Sequence, residues 1–447
     1  MARLKALANA RGAEPSAGPQ PAAFSLPNKL PVRYKGLKDS GQNPANISIA
    51  VGPKTNIEAI NSRFAIFDKK KFNRTIGDFV EFSDWVSFSG ALTGSAFFDP
   101  WIVFDATEGR WYMVFMARRR SDRRSWYVVS ASASDNPFDG FWQVMFLDAG
   151  RDNDTTTDNW AGDVRLGYDG DSIFLTSNQY AFQDDSFQYA KIRVLDKQDV
   201  ITNRVRNFTD FVRLRDGDGA LSSSVQPCVH FGTAPAAFFV NAKAVGGKRL
   251  TLRSVTGGSR SPALGAPQSV RVGRYGVPAD ARQKGTRRRL DTGDARLLNA
   301  SWREGAIWTA QNVATRKGVG IRWYSLSDGS GGRPKVLQSG KFSGRKRDFF
   351  YPAILPTSTG GAAMVFCRSG KREFAGAFLT GRRAGDPLGK MATEREFAPG
   401  KAAFTERDWG AYNGISLDPS RAGRVFVGGQ SAVTAGTWTT TFAAADF

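Results

Sequence analysis

The side chains of this chain that could do chemistry stand where short apolar runs begin. Aspartates open "DPWIVFD" at Asp99, "DVRLGYD" at Asp163 and "DARLLNA" at Asp294, and tyrosines open "YPAILPT" at Tyr351 and "YNGISLD" at Tyr412. Three carboxylates and two phenols facing one another would hold a cation or the hydroxyls of a sugar. Two carboxylates flanking a glycosidic bond could also hydrolyse it. Spacing alone does not say which of Asp99, Asp105, Asp158, Asp163, Asp169, Asp171 and Asp294 would pair. An aspartate ahead of a strand has a structural alternative too, because its carboxylate commonly caps a local turn. His230, in "PCVHFG", is the single histidine. Beside a tyrosine it could act as base or acid in a polysaccharide lyase; the alternative is a histidine simply packed inside the fold.

Other chemistries find no motif. There is no nucleophile elbow, phosphate-binding loop or zinc-protease helix. Cys228 and Cys367 lie in apolar runs, where cysteine behaves as a small buried hydrophobe. Two cysteines and one histidine make neither a disulfide framework nor an ordinary zinc site. No cofactor is expected, with calcium as the alternative. The acidic stretches "RDNDTTTDN" (151–159) and "RDGDG" (215–219) have the short Asp and Asn spacing of oxygen-ligand loops, and equally the composition of plain turns.

Charge is the other chemical signal. The chain carries 62 basic and 41 acidic residues, a net charge of +21. Part of the excess is clustered, at "RRRSDRR" (118–124) and "GRKR" (344–347). Both clusters read as hairpin tips, so Arg118, Arg119, Arg120, Arg123, Arg124, Arg345, Lys346 and Arg347 are candidates for a polyanion-binding surface. Arginine that merely keeps a β-rich protein soluble is the competing reading. Charge confined to dispersed tips, without a basic helix or aromatic-studded RNA motif, argues against specific nucleic-acid binding. Asn-x-Ser/Thr sequons at Asn46, Asn73, Asn153, Asn207 and Asn299 are glycosylation candidates.

The elements that must position these residues are strands. "FFDPWIVFDATEGRWYMVFMA" (97–117) reads as a β-hairpin, with Gly109 closing the turn and Trp111 packing between layers. The same pattern recurs from Asn46, Asp99, Asp163, Pro227, Asp294, Tyr351 and Tyr412, at intervals of 53 to 67 residues. Each copy continues into second and third apolar strands, such as "SIFLTSNQY" and "YAKIRVLD" in one and "GAIWTAQN" in another. Short antiparallel strands repeating at this period are the signature of propeller blades. A sandwich would not repeat so, and a β-helix would repeat much faster. The expected fold is therefore all-β, a seven-bladed β-propeller over 41–447 behind a short extended arm over 1–40. The first 24 residues lack the apolar core of a secretory signal, and no run is long enough for a transmembrane helix. Ring closure is expected to pair the region near Asn46 with the last strand, "TWTTTFAA".

The motifs "VGPKTNIEAINSRFAIFDKK", "FFDPWIVFDATEGRWYMVFMA", "LGYDGDSIFLTSNQY", "LDTGDARLLNASWREGAIWTA", "YPAILPTSTGGAAMVFCRSG" and "WGAYNGISLDPSRAGRVFVGG" resemble, in kind and order, a broad group of predicted β-propellers. Many of these are secreted or cell-surface bacterial proteins of uncharacterised function. The resemblance spans about residues 45 to 445 and implies the fold and an extracellular setting. It brings no activity and no catalytic residues. The expected function is a non-catalytic extracellular propeller whose loops bind an acidic polysaccharide or a surface or filament protein, alone or within a larger assembly. The alternative is a lyase or hydrolase working in the central funnel.

Overall fold

The computed structural model describes residues 24–27, 30–71, 79–205, 207–406 and 408–447. Among them the chain is almost wholly strand, organised as successive four-stranded antiparallel meanders. We label these sheets by their innermost strands: A begins with Ser48–Val51, B with Ala96–Asp105, C with Asn159–Tyr168 and D with Gln226–His230. E begins with Leu297–Arg303, F with Arg347–Pro356 and G with Gly414–Leu417. The innermost strands of C, D and E converge enough to pair in parallel, with Tyr168 opposite Val229 and Cys228 opposite Ala300. No helix among the described residues is long and apolar enough to cross a membrane.

The alternation of each strand sends apolar side chains to both faces, and each face packs on the next sheet. Phe64 and Phe82 of the A region meet Trp111 and Phe115 of B, with the Phe82 and Phe115 rings stacked at 4.0 Å. Val114 and Tyr127 of B meet Leu166 and Ile173 of C; Phe174 of C meets Phe239 of D. The series continues through D–E, E–F and F–G, and Phe426 and Phe442 of G pack on Ile47 and Phe67 of A. Apolar faces are thus buried in a closed cycle, which is the β-propeller arrangement. The hairpin in B is as expected: Gly109 has φ 63°, and Trp111 is fully buried between A and B. Trp111 lies so close to Gly52 that a Cβ there would sit 2.4 Å from the indole.

Sheet G takes its fourth strand from the other end of the chain. Val32–Lys38 pairs antiparallel with Trp438–Asp446, Val32 opposite Ala444 and Tyr34 opposite Phe442. Tyr34 and Phe442 also stack at 4.8 Å. The expected partner strand is used, but the segment that closes on it precedes Asn46 and comes from within the anticipated arm. Tyr34 and Val32 each supply an apolar surface for the last strand, which the residues near Asn46 cannot do because Ser48–Val51 is already the inner strand of A.

Candidate functional site

The innermost strands start at one end of a central channel, and their starts are distorted in a repeated way. Asn46, Asp99, Asp163, Ser224 and Tyr351 all have φ between 48° and 55°, the left-handed region. In B, C and F this residue sits in a β-bulge: pairing skips between Phe98 and Trp101, Gly162 and Arg165, and Phe350 and Ala353. Asn and Asp tolerate this conformation better than most residues, and bulges re-aim side chains at sheet rims. Asp294 does not share the position. The bulge of E lies at Leu298, and Asp294 precedes the strand.

Each distorted residue is fastened to its neighbouring sheet. The Asp99 N–H donates to Asn61 Oδ1 at 2.9 Å, and the Asp163 N–H to Asp99 Oδ2 at 2.8 Å. The Ser224 N–H donates to Asn178 Oδ1 and the Tyr351 N–H to Asn312 Oδ1, each at 2.7 Å. Asn46 Oδ1 accepts from the Ala411 N–H at 3.1 Å, and its Nδ2 donates to Asp99 Oδ1 at 2.8 Å. The mouth is therefore rimmed by side-chain-to-backbone latches between sheets. Asn178 and Asn312 stand in second strands, in "LTSNQY" and "WTAQN", and Asn61 in the turn just after one, in "IEAINSRF"; sequence reasoning missed their role, although their recurrence at nearly corresponding places was visible.

Three of the five expected mouth residues share one cavity. Asp163, Asp294 and Tyr351 line a space of about 200 Å³ with Arg165, Arg296 and Trp409. Arg296 bridges the carboxylates, donating to Asp163 Oδ2 at 2.6 Å and to both oxygens of Asp294. Arg165 is only 4% exposed, held over the rings of Trp101 and Tyr412 at 4.9 and 4.3 Å. Its Nε has no hydrogen-bond partner among the described residues. Tyr412 lies outside this cavity; its hydroxyl donates to the Pro100 carbonyl at 3.0 Å and its ring serves Arg165. The Tyr351 hydroxyl likewise donates to the Asp291 carbonyl at 3.2 Å.

Asp163 also faces a second, shallower cleft with Asp99. Phe98, Trp160, Tyr180 and Arg118 form its other walls. Trp160 and Tyr180 stack at 4.8 Å, and the Arg118 guanidinium lies 4.1 Å from the Trp160 ring centre. The two carboxylates titrate apart. Burial, and then the nearby charge of Asp163, push Asp99 up to about 6. Burial would also raise Asp163, but Arg296 and Arg165 outweigh it and hold that carboxyl below its usual value. Neither Arg165, Arg296, Trp160 nor Tyr180 was singled out from sequence, because nothing in their spacing distinguishes them from the many other arginines and aromatics.

His230 lies at the far end of the channel and is engaged on both nitrogens. Nδ1–H donates to the Tyr168 carbonyl at 2.9 Å, and Nε2 accepts from the Phe238 N–H at 3.2 Å. Burial lowers it to about 4, so it is neutral at physiological pH. The packed-histidine reading describes it.

In the first basic tip, Arg119 pairs with Asp122, Arg120 with Asp185 and Arg123 with Asp158, while Arg124 lies over Trp126. In the second, Arg347 pairs with Glu373, and Arg345 and Lys346 stand exposed at the turn. In the acidic stretches, Asp152 accepts from Tyr189 and Lys191, and Asp216 accepts from Ser222 and Asn241 beside Arg253. These carboxylates already face protein cations. Asn46 and Asn299 are corrections to the sequon set: both are buried, Asn46 latched as above and Asn299 bonded through both amide atoms to Ile354. A glycan could not be accommodated on either. Asn153 and Asn207 are exposed, and Asn73 lies outside the described residues.

No protein-family model matches the chain, and no curated protein does. Among solved structures it is similar to a protein of unknown function from Dyadobacter fermentans, at 10% identity over 94% of this chain and 100% of that one, with a TM-score of 0.43. It is similar to Trypanosoma rangeli sialidase in complex with sialic acid, at 12% identity over 88% of this chain, with a TM-score of 0.41; it spans 59% of that sialidase chain. An exo-β-1,3-galactanase from Clostridium thermocellum is 9% identical over 78% of each chain, with a TM-score of 0.35. These likenesses are distant, and no residue role is carried across from any of them.

Proposed function

We propose that this protein is a non-catalytic, seven-bladed propeller that binds a glycan at the mouth where its innermost strands begin. The observation that carries this reading is the position of Asp163 between two adjoining spaces. One offers the Arg296-bridged carboxylates of Asp163 and Asp294. The other offers the Trp160–Tyr180 shelf. An aromatic face takes the apolar face of a sugar ring, and a few fixed polar groups orient its hydroxyls. Arg118, on the Trp160 ring, shares Asp185 with Arg120, and the cation in excess there favours an acidic sugar. An acidic polysaccharide met outside the cell, as in the group of propellers that the motifs resemble, is the partner class proposed. Calorimetric titration with neutral and uronic-acid oligosaccharides tests it. Trp160→Ala is expected to weaken binding about tenfold or more, with the melting temperature nearly unchanged. Equal binding by Trp160→Ala and Asp163→Asn would overturn the assignment.

A carbohydrate-active enzyme is the second reading, favoured by the divergent titration of Asp99 and Asp163 on one cleft. Carboxyls pushed apart in this way suit an acid and its partner. Against it, both Asp99 oxygens already accept hydrogen bonds, from Asn46 and from the Asp163 amide. A reducing-end assay on the same oligosaccharides separates the two. Turnover abolished by Asp99→Asn would replace the binding reading with this one.

A further inference from the structure

The channel has a second mouth, where the innermost strands end. It encloses about 390 Å³ and is lined by Phe104, Tyr168, Phe231, Arg303 and the loop over residues 417–424. A waist of about 60 Å³, walled largely by Ile47, Ile49, Trp101 and Leu355, separates it from the first mouth. Occupancy of one mouth therefore does not fill the other.

Arg303 is the distinctive group here. Its backbone is fixed by a two-residue turn, Glu304 and Gly305 having φ 48° and 79° between the paired Arg303 and Ala306. The neighbouring Trp302 is anchored through its Nε1–H to Asp328 at 2.9 Å. The Arg303 guanidinium lies 5.1 Å from the Phe231 ring centre, and its Nε is buried without a hydrogen-bond partner. Among the described residues no carboxylate lies within ion-pair distance of it. The other cations around the mouth each reach a carboxylate: Asp418 holds Lys69 at 2.5 Å, and Arg421 and Arg424 share Asp446. His230 is neutral. Arg303, beside the exposed Glu304 but with no ion pair, faces an open space between three aromatic rings.

We propose that this second mouth binds a small organic anion, a carboxylate or phosphate monoester on a body of about monosaccharide size, with Arg303 anchoring the oxyanion. The guanidinium fork matches either head group and is more weakly hydrated than an ammonium. Phe104, Tyr168 and Phe231 receive the body of the ligand. The space corresponds to roughly a dozen water volumes and falls within the size range of small-molecule pockets. Half-burial of an unmatched charge has a desolvation cost that an oxyanion would relieve.

Calorimetric titration of the full chain with glucuronate, inorganic phosphate and glucose tests this inference. Glucose is the neutral counterpart of glucuronate. At least one of the two anions is expected to bind, with glucose weaker by about tenfold or more. Arg303→Gln should remove that preference. Ser358→Glu, on the exposed rim, should weaken anion binding by repulsion while leaving Arg303 in place, which guards against a folding defect in the first variant. Trp160→Ala should leave this binding intact, which separates it from the glycan site. Anion binding unchanged in Arg303→Gln, equal binding of glucose, or no binding of either anion would each overturn the proposal.

Discussion

The two mouths of the channel are built from the same strands and fasten their polar groups differently. At the strand starts the chain arrives from the outer strand of the preceding sheet, and its first residues need fixing. There Asn61, Asp99, Asn178 and Asn312 accept backbone amides from the next sheet, and Arg296 neutralises two carboxylates. At the strand ends a short hairpin already fixes the backbone, as at Glu304–Gly305. Ties between sheets there are ion pairs, Asp105 with Lys197 and Asp418 with Lys69, and Arg303 takes part in none. The repeated architecture thus latches one rim through side-chain-to-backbone bonds and the other through charge pairs that leave Arg303 out.

The sharpest way to break this contrast is to remove a latch. Asn312→Ala would orphan the buried Tyr351 amide and the Thr292 carbonyl that Asn312 also serves at 2.6 Å. Leaving such groups unpaired costs about 1–3 kcal/mol each, so a loss of about 3 kcal/mol is expected in denaturant unfolding. Arg303→Gln, which loses only a ring contact, should cost less than about 1 kcal/mol. Similar losses for the two would dissolve the distinction.

The mouths should also respond oppositely to pH. Asp99 has a folded pKa raised to about 6, so its protonated form is the one favoured by folding. Its contribution is fully present below the unfolded value near 4 and is lost as pH rises through 6. His230 is lowered to about 4. Its contribution is present above the unfolded value near 6.5 and is lost as pH falls toward 4. In the wild type the two effects oppose each other between about pH 4 and 6. Asp99→Asn should therefore steepen the loss of stability on acidification, by about 1–2 kcal/mol across that window. A stability–pH curve parallel to the wild type would mean that Asp99 titrates normally.

The smallest effect concerns the outer tips. Replacing Arg345 and Lys346 with Gln should reduce the salt sensitivity of binding to a sulfated glycan without moving the melting temperature. The same change at Arg120 and Arg123 should matter less, since each already has an aspartate. An equal loss at both tips would show that those aspartates do not mask the arginines.

Much of this architecture was legible because propeller strands obey a local rule. Runs such as "RWYMVFMA" are apolar on both faces since both faces are covered, and the turns between them are short and rich in Gly and Asp. The period of the repeat then followed from matching strand openings. The mouth was only partly legible for a geometric reason. A bulge shifts register by one residue, so the same-looking aspartate sits in the bulge at 99 and 163 and outside it at 294. Nor could spacing reveal which arginine would be matched. Arg296, just before the inner strand of E, and Arg303, at its end, are seven residues apart, and their difference depends on what surrounds each. Closure by Val32–Lys38 was obscured because a strand completing a distant sheet carries no hairpin signal of its own.

That closing pair has a mechanical consequence. Val32 lies opposite Ala444 and Lys38 opposite Thr439, so the chain leaves the pair in both directions from the same end of the ladder. Tension applied to the segments outside the pair would load its hydrogen bonds one after another, as a zip is opened, rather than all together in shear. The ring should then yield first at this seam and at low force, releasing one strand while the other sheets stay folded. A tether stretched between the two ends would read the seam as a discrete early extension, whose length reports how much chain the peeled strand sets free.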